Sequence, residues 1–377
     1  MNEIGLRPAA DSSFIPHPLS FGRVAVVHDW LTGMRGGESV LEAILDCVPG
    51  AELFTLFHFP GKVSARIEAH RIHTSPLQRI ASSIHDYRKL LPFFPWAIER
   101  FDLSAFDLVI SSSHCAAKGV DARGKPHLCY CHTPMRYMWD RFDDYFPQSR
   151  PLVRFTASLF RRRLQRWDVA TAARVSRFVA NSNFVRGRIR KSYDRDAEII
   201  HPFVDDFFFS APVRRDREDF DLVISALAPY KRIELAIDAG RPLVIIGDGP
   251  MRTRLETRAG PNVRFLGSVS REVILDHLSR ARTLILPGVE DFGITPLEAM
   301  AAGTPVVAFR AGGALDSVVD GRTGMFFDEP VVHSLRAALD RAGAHNWNRE
   351  EVREHAATFS RTRFERQFMN ALQQVTA

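Results

Sequence analysis

Two glutamates, Glu290 and Glu298, stand in the segment EDFGITPLEAM with seven residues between them. The apolar run at residues 284–289 suits a buried strand, and residues 297–302 suit a short helix closed by Gly303. The expected order is strand, loop, helix. Thr295 fits the helix N-cap, Pro296 the first helical position and Glu298 the third position of a capping box, which by itself would account for one glutamate. Glu290 has no such role, because it follows a strand at its carboxyl end, where open parallel sheets bind ligands. The Gly293 turn allows close backbone approach, and the first amides of the following helix favour an anion such as phosphate. Carboxylates touching a phosphate would repel it. The pair therefore reads as acceptors for sugar and ribose hydroxyls on either side of a phosphate group, which describes a sugar nucleotide.

Such a loop has to be positioned by sheets. From residue 221 onward, apolar runs of strand length alternate with helical stretches, as in DLVISAL, a helix at 231–239, PLVIIG, VRFLG, REVILDHLSRA, TLILP and PVVAF. That alternation predicts a parallel sheet covered on both faces. The first half repeats it with RVAVVHDW, the turn TGMRGGE, SVLEAILDCV, LFTLFHF, DLVISSS, HLCYC and RFVAN. The expected fold class is α/β, with two Rossmann-like domains facing across a cleft. Residues 1–20 read as a loose tail, 21–203 as the first domain, 204–360 as the second, nucleotide-sugar-binding domain, and 361–377 as a closing helix.

Composition narrows the function classes. The chain has 377 residues, 45% hydrophobic and 25% charged, and no apolar run approaches the roughly 20 residues needed to cross a bilayer. Its opening lacks the basic start and apolar centre of a signal peptide, so a cytoplasmic location is expected. Four cysteines do not make a disulfide scaffold. Cys115, Cys129 and Cys131 lie near histidines, which raises zinc, but Cys129 and Cys131 alternate along a strand without the C-x2-C spacing, and buried cysteine behaves as a small apolar residue. Residues 154–195 hold twelve arginines or lysines against two acidic residues. Such a patch attracts nucleic acid or an anionic membrane. No nucleic-acid fold signature or regular interleaving of aromatics accompanies it, so nucleic acid is not expected as a partner.

The ordered set VVHDWLTGMRGGE, DLVISSSHCAAKGV, CYCHTPMRYMWD, FVANSNFV, SALAPYKRIELAI, IIGDGP, FLGSVS and EDFGITPLEAMAAGTPVVA resembles the retaining glycosyltransferases of family 4, from about Phe21 to the C-terminus. CYCHTPMRYMWD and APYKRIELAI are especially similar to a branch with α-mannosyltransferases that build bacterial surface polysaccharides from GDP-mannose. The resemblance implies the GT-B fold, with the last helix returning toward the N-terminal domain. It implies that Glu290 meets donor-sugar hydroxyls, that backbone at Phe292, Gly293, Ile294 and Thr295 lines sugar and diphosphate, and that Glu298 holds the ribose. Lys231 matches the lysine on the diphosphate, Gly36 and Gly37 the glycine turn near the donor phosphates, and His132 the histidine beside the reacting sugar. His28 and Asp29 end the first strand at the same cleft edge. Many relatives have arginine where Ala226 stands, and Arg232 is the candidate to compensate.

Stabilising charge that leaves with the phosphates is the main catalytic task, and Lys231 with fixed amides suits it without a metal. The Asp-x-Asp pairs that would suggest a metal, Asp194 with Asp196 and Asp219 with Asp221, precede strands on the side away from the cleft. Neither metal nor cofactor is expected, only the nucleotide sugar as substrate. The resemblance further implies a polyprenyl-diphosphate-linked oligosaccharide acceptor, with the basic stretch 154–195 docking the protein peripherally on the inner face of the plasma membrane. The rival readings are another donor such as UDP-glucose, a non-enzymatic basic binder of nucleic acid or lipid, and an oxidoreductase, whose fingerprint the GDG at 247–249 completes poorly.

Overall fold

The computed structural model describes residues 21–81, 87–146, 148, 151–214 and 216–377; the tail expected at 1–20 lies outside them. Seven strands form the first sheet: β1 (Val24–His28), β2 (Glu52–Thr55), β3 (Ile72–Thr74), β4 (Leu108–Ser113), β5 (His127–Cys131), β6 (Arg177–Ala180) and β7 (Ala197–Ile199). They lie in the order β3-β2-β1-β4-β5-β6-β7, every pair parallel. The second sheet holds β8 (Asp221–Ile224), β9 (Leu243–Ile246), β10 (Val263–Gly267), β11 (Leu284–Leu286), β12 (Val306–Phe309) and β13 (Gly324–Phe327). Its order is β10-β9-β8-β11-β12-β13, again all parallel. Strand order reverses between β1 and β4 and between β8 and β11. Crevices at the carboxyl ends of such switch points are where open α/β sheets take ligands.

The strand period of two explains the unbroken apolar runs. Along β1, Val24 and Val26 face one core with Leu41 and Ile44, while Ala25 and Val27 face another with Phe57 and Phe94. In the second sheet Leu222 and Val244 pack on one side, Val223 and Ile245 on the other. The last helix, Arg361–Thr376, places Phe364, Phe368, Ala371 and Leu372 on one stripe and buries them beside Leu41 and Tyr130 of the first sheet's core. The chain thus closes back on its first domain, as expected.

Some elements differ from the sequence reading. The helix expected at 231–239 is a 3-10 turn, Pro229–Lys231, then Arg232 in the left-handed region at φ 52°, then the helix Ile233–Asp238. The edge strands β3 and β7 and the helix Pro151–Ala172 were not anticipated. That long helix buries only Leu164, Asp168, Thr171 and Ala172, so its sequence has little apolar periodicity to read. Among the described residues no helix is long and apolar enough to cross a membrane.

Candidate functional site

At the first switch point, His28 ends β1 beside Ser112 of β4, and His132 follows β5. The Ser112 hydroxyl bridges His28 Nδ1 at 3.1 Å and His132 Nε2 at 2.9 Å. Glu38 Oε1 lies 4.0 Å from His28 Nε2, while its other oxygen accepts the Arg35 N–H at 3.1 Å. This buried row fixes the ring of His132 from behind. Burial, with His114 and His28 adding to it, pulls the His132 pKa down to about 3. The imidazole is therefore neutral at working pH and can serve as a hydrogen-bonding group, not as a stored acid. NMR of ring-labelled protein should show His132 untitrated from pH 8 to pH 5; a midpoint near 6.5 would contradict this.

Asp29 behaves differently from the cleft-edge residue that its position suggested. Its fully buried carboxylate accepts the N–H groups of His114, Cys115, Ala116 and Ala117 at 2.6, 2.9, 2.6 and 2.8 Å. All its acceptor capacity is used to hold the turn after β4. His28, also fully buried, can reach the cleft only through Ser112 and His132. Gly36 and Gly37 begin the helix Gly36–Cys47. A Cβ on Gly37 would lie 3.9 Å from His132 Cε1, and one on Gly36 would lie 2.9 Å from Ile294 Cδ1. The glycine turn of the first lobe therefore meets the second lobe at Ile294, and a side chain at position 36 would require the tip of the Ile294 side chain to shift.

At the second switch point, Lys231 after β8 forms an ion pair with Glu290 after β11. Their side chains are 15% and 16% exposed, so both remain partly open to the cleft. The two loops touch at Gly288, where a Cβ would come within 2.8 Å of Lys231 Cα. Phe292 is buried against His201 and Phe359, which leaves its backbone to line the loop. Gly293 turns the chain at φ 88°.

The capping box is not formed. Ile294, in the α region, is the N-cap and makes no side-chain cap; Thr295 and Pro296 occupy the first two helical positions of Thr295–Ala301. The Ile294 carbonyl accepts from the N–H groups of both Leu297 and Glu298, at 2.8 and 3.1 Å. The Glu298 carboxylate makes no hydrogen bond with a described residue. Burial pushes its pKa up to about 7, against the pull of Arg271 and with Asp205 adding to the rise. A half-buried acid with a raised pKa and no partner among the described residues is a candidate for a ligand role.

Arg232 does not stand beside Lys231 against Glu290. Its guanidinium lies 5.5 Å from the Phe309 ring centre, and its Nη1 has no hydrogen-bond partner. The backbone at Arg232 is left-handed, with φ 52°, between the 3-10 turn and the helix. Asp196 is held by Arg186 at 2.8 Å, and Asp221 by Thr283 at 2.8 Å and Arg282 at 3.1 Å. Asp219 pairs with the same Arg282, and Asp194 is the C-cap of the helix Asn183–Tyr193. Cys129 and Cys131 pack in the core with Phe178 and Ile189, and Cys115 in the core with Val120. Among the described residues no group of three or more histidines, cysteines or acids is arranged to hold a metal ion.

Sequence reasoning passed over Asp291, which joins the two lobes. Its Oδ1 accepts from Arg188 Nη1 at 2.6 Å and Thr133 Oγ1 at 3.2 Å, and its Oδ2 is 3.3 Å from Arg136 Nη1. Ser182 Oγ donates to the Asp291 carbonyl at 2.5 Å. A second fastener lies nearby: Asp316 Oδ1 accepts from Asn183 Nδ2 at 2.6 Å and lies 3.1 Å from His201 Nε2. Tyr230, beside Lys231, lies under Arg136 and Arg141, with ring centre to guanidinium distances of 5.9 and 5.3 Å. The signal was an acid next to the motif glutamate and the arginines in HTPMRY and RGRIRK, but spacing does not say which charges meet.

Known proteins resemble this chain in sequence and fold. Residues 52–208 match the family model of glycosyltransferase family 4, and residues 204–359 that of glycosyl transferases group 1. The chain is 36% identical over 131 residues to the GDP-mannose-dependent alpha-(1-6)-phosphatidylinositol dimannoside mannosyltransferase of Mycobacterium tuberculosis, covering 33% of each chain. It is 31% identical over 192 residues to the corresponding monomannoside mannosyltransferase of Mycolicibacterium smegmatis, covering 42% of this chain and 50% of that one. These matches span only about a third to a half of the curated relatives' length. Anabaena HepE, solved in complex with UDP-glucose, shares the fold with a TM-score of 0.68 at 18% identity, over 93% of this chain and 99% of that one. Two parallel sheets meeting at their switch points, and two family models that run almost end to end over residues 52–359, lead to one assignment: the chain belongs to glycosyltransferase family 4.

Proposed function

We propose that the cleft binds a sugar nucleotide, GDP-mannose before others, and transfers its hexose with retention to a lipid-linked oligosaccharide during synthesis of a bacterial surface polysaccharide. The observation that supports this most is the Lys231–Glu290 ion pair at one switch point, opposite neutral His132 and the Gly36–Gly37 turn at the other. GDP-mannose is favoured by the partial matches to two GDP-mannose-dependent enzymes.

In the reaction the bond from the anomeric carbon to the diphosphate oxygen breaks and its electron pair leaves with the phosphate, while an acceptor hydroxyl bonds to the anomeric carbon from the same face and passes its proton to the departing phosphate oxygen. Lys231 exchanges Glu290 for that diphosphate and stabilises the growing charge, assisted by backbone amides at Gly36, Gly37 and residues 293–295. Glu290, released from the lysine, accepts from hydroxyls of the donor hexose. His132 hydrogen-bonds the sugar in its neutral form. Glu298 accepts from the ribose hydroxyls, which gives its carboxyl partners that no described residue supplies. None of these steps needs a metal, and no cofactor is required.

Incubation with GDP-mannose, UDP-glucose and other sugar nucleotides in EDTA tests this without knowledge of the acceptor. Slow hydrolysis of GDP-mannose, undiminished by EDTA, is expected. Faster turnover of UDP-glucose would reassign the donor, and loss of activity restored by manganese would refute metal independence.

An acceptor on a polyprenyl diphosphate implies work at a membrane surface. Supporting this, Leu152, Phe155 and Leu159, exposed at 74%, 60% and 62%, form one stripe of the helix Pro151–Ala172 that continues into exposed Arg162, Arg163 and Arg166. Apolar side chains can enter the interface while each arginine near anionic lipid adds roughly 1 kcal/mol. The protein should sediment with anionic vesicles at low salt; failure to do so would remove the docking role.

A further inference from the structure

Adjacent residues Glu290 and Asp291 face opposite ways. Glu290 pairs within its own lobe, with Lys231, whereas every side chain that holds the Asp291 carboxylate comes from the other lobe: Thr133, Arg136 and Arg188. Arg188 and Asp291 are 12% and 13% exposed, so water screens their attraction weakly. Burial alone would raise the Asp291 carboxyl, but Arg136 and Arg188 outweigh it and hold the group below its ordinary value, charged. Arg188 is itself steadied by Asp140, 2.5 Å from its Nη2.

The cluster also reaches the other side of the reacting centre. Thr133 directly follows His132, whose carbonyl accepts from Asn181 Nδ2 at 3.0 Å, and Asn181 precedes the Ser182 that binds the Asp291 carbonyl. One set of contacts therefore fixes the residue beside Glu290 and the residue beside His132 relative to each other. If the lobes separate, Asp291 loses all of these partners at once, while the Lys231–Glu290 pair, contained in one lobe, survives.

We propose that Asp291 is a positioning residue, whose ion cluster with Arg136 and Arg188 sets Glu290 against the hexose, opposite His132, only when the lobes are closed. The cluster couples closure to transfer. This rests on Glu290 being the ligand of the donor hexose, as proposed above. Binding of the nucleotide rests mainly on Lys231 and Glu298 within one lobe, while the Gly36 and Gly37 amides of the other act on the charge that grows as the bond breaks, so loss of the cluster falls chiefly on turnover.

The test compares wild type with Asp291→Asn, which keeps shape and removes charge, and with Asp291→Glu, which restores charge. Small-angle scattering of the ligand-free protein and steady-state hydrolysis of GDP-mannose are measured on each. Asp291→Asn is expected to increase the radius of gyration and to lower kcat about ten- to a hundredfold, as misplacement of a reacting group does, with KM changed less than about threefold. Asp291→Glu should recover part of both. Arg188→Gln, altered on the opposite lobe, should reproduce the kcat loss and serves if Asp291→Asn folds poorly. An unchanged radius with kcat within twofold of wild type in both variants would overturn the proposal. If the wild type hydrolyses no GDP-mannose, the donor reading fails, and the scattering comparison alone decides the cluster.

Discussion

Glu290→Ala should lose about a hundred- to a thousandfold in turnover with its circular dichroism and thermal melting close to wild type. Glu290 stands after β11 at the switch point, and among the described residues its carboxylate pairs with Lys231. In the proposed reaction, removing the carboxylate takes away the acceptor for the hexose hydroxyls, through which the sugar would be held in place as the anomeric bond breaks. The fold does not depend on it, because the pair is partly exposed and the loop is fixed independently by the Gly313 N–H on the Glu290 carbonyl at 2.9 Å. Glu290→Gln, which keeps one acceptor and the shape, should fall between. A Glu290→Ala variant within threefold of wild-type turnover would remove the residue from the reaction.

The largest stability effect is expected in the buried interior of the first domain, at Asp168. Its Oδ1 is 2.9 Å from Lys118 Nζ, and its Oδ2 accepts from Trp139 Nε1 at 2.8 Å and Tyr193 OH at 3.0 Å. Lys118 and Asp168 are 1% and 0% exposed, so the lysine has no recourse to water if the acid is removed. The Lys118 ammonium also donates to the Asp168 carbonyl at 2.6 Å and to Thr171 Oγ1 at 3.1 Å, which cannot neutralise it. Breaking such a pair from one side costs about 3–5 kcal/mol, whereas replacing both members by apolar residues is often close to neutral. Asp168→Ala should therefore lower the urea midpoint strongly. Lys118→Met combined with Asp168→Leu should recover most of the loss. Equal destabilisation by the single and the double variant would show that the hydrogen bonds of Asp168 to Trp139 and Tyr193, not the buried charge, dominate. This pair fastens the long basic helix Pro151–Ala172 to the first sheet, so the same variant should disturb the surface proposed to meet the membrane.

The central strands were legible because both of their faces are covered: β1, β4 and β9 are runs of buried residues with no polar alternation to confuse them. The long helix was not, since most of it is exposed and polar, and it is held by contacts distant in sequence, among them a buried ion pair between residues 50 positions apart and Arg161 and Gln165 on the Met138 carbonyl. Glu290 and Lys231 could be marked from their positions after strands, and the structure brings them into contact. The capping box at Thr295 satisfied the sequence pattern, yet the Gly293 turn delivers Ile294 in a helical conformation and its carbonyl takes the first helical N–H groups. The pattern records which residues favour a cap, not where the preceding turn starts the helix. The break at Arg232 in the helix expected at 231–239 was hidden for a related reason, because a left-handed residue between two short helices has no signature unless it is glycine or asparagine. Asp291 was invisible as a contact: its arginine partner Arg188 is 103 positions away, and only the approach of the two lobes selects that pairing.

The most direct measurement is a crystal structure with GDP-mannose bound. The expected result has the Lys231–Glu290 contact exchanged, with the lysine on the diphosphate, Glu290 on hydroxyls of the hexose beside His132, and Glu298 on the ribose. A nucleotide found elsewhere, with Lys231 and Glu290 still paired to each other, would contradict the account.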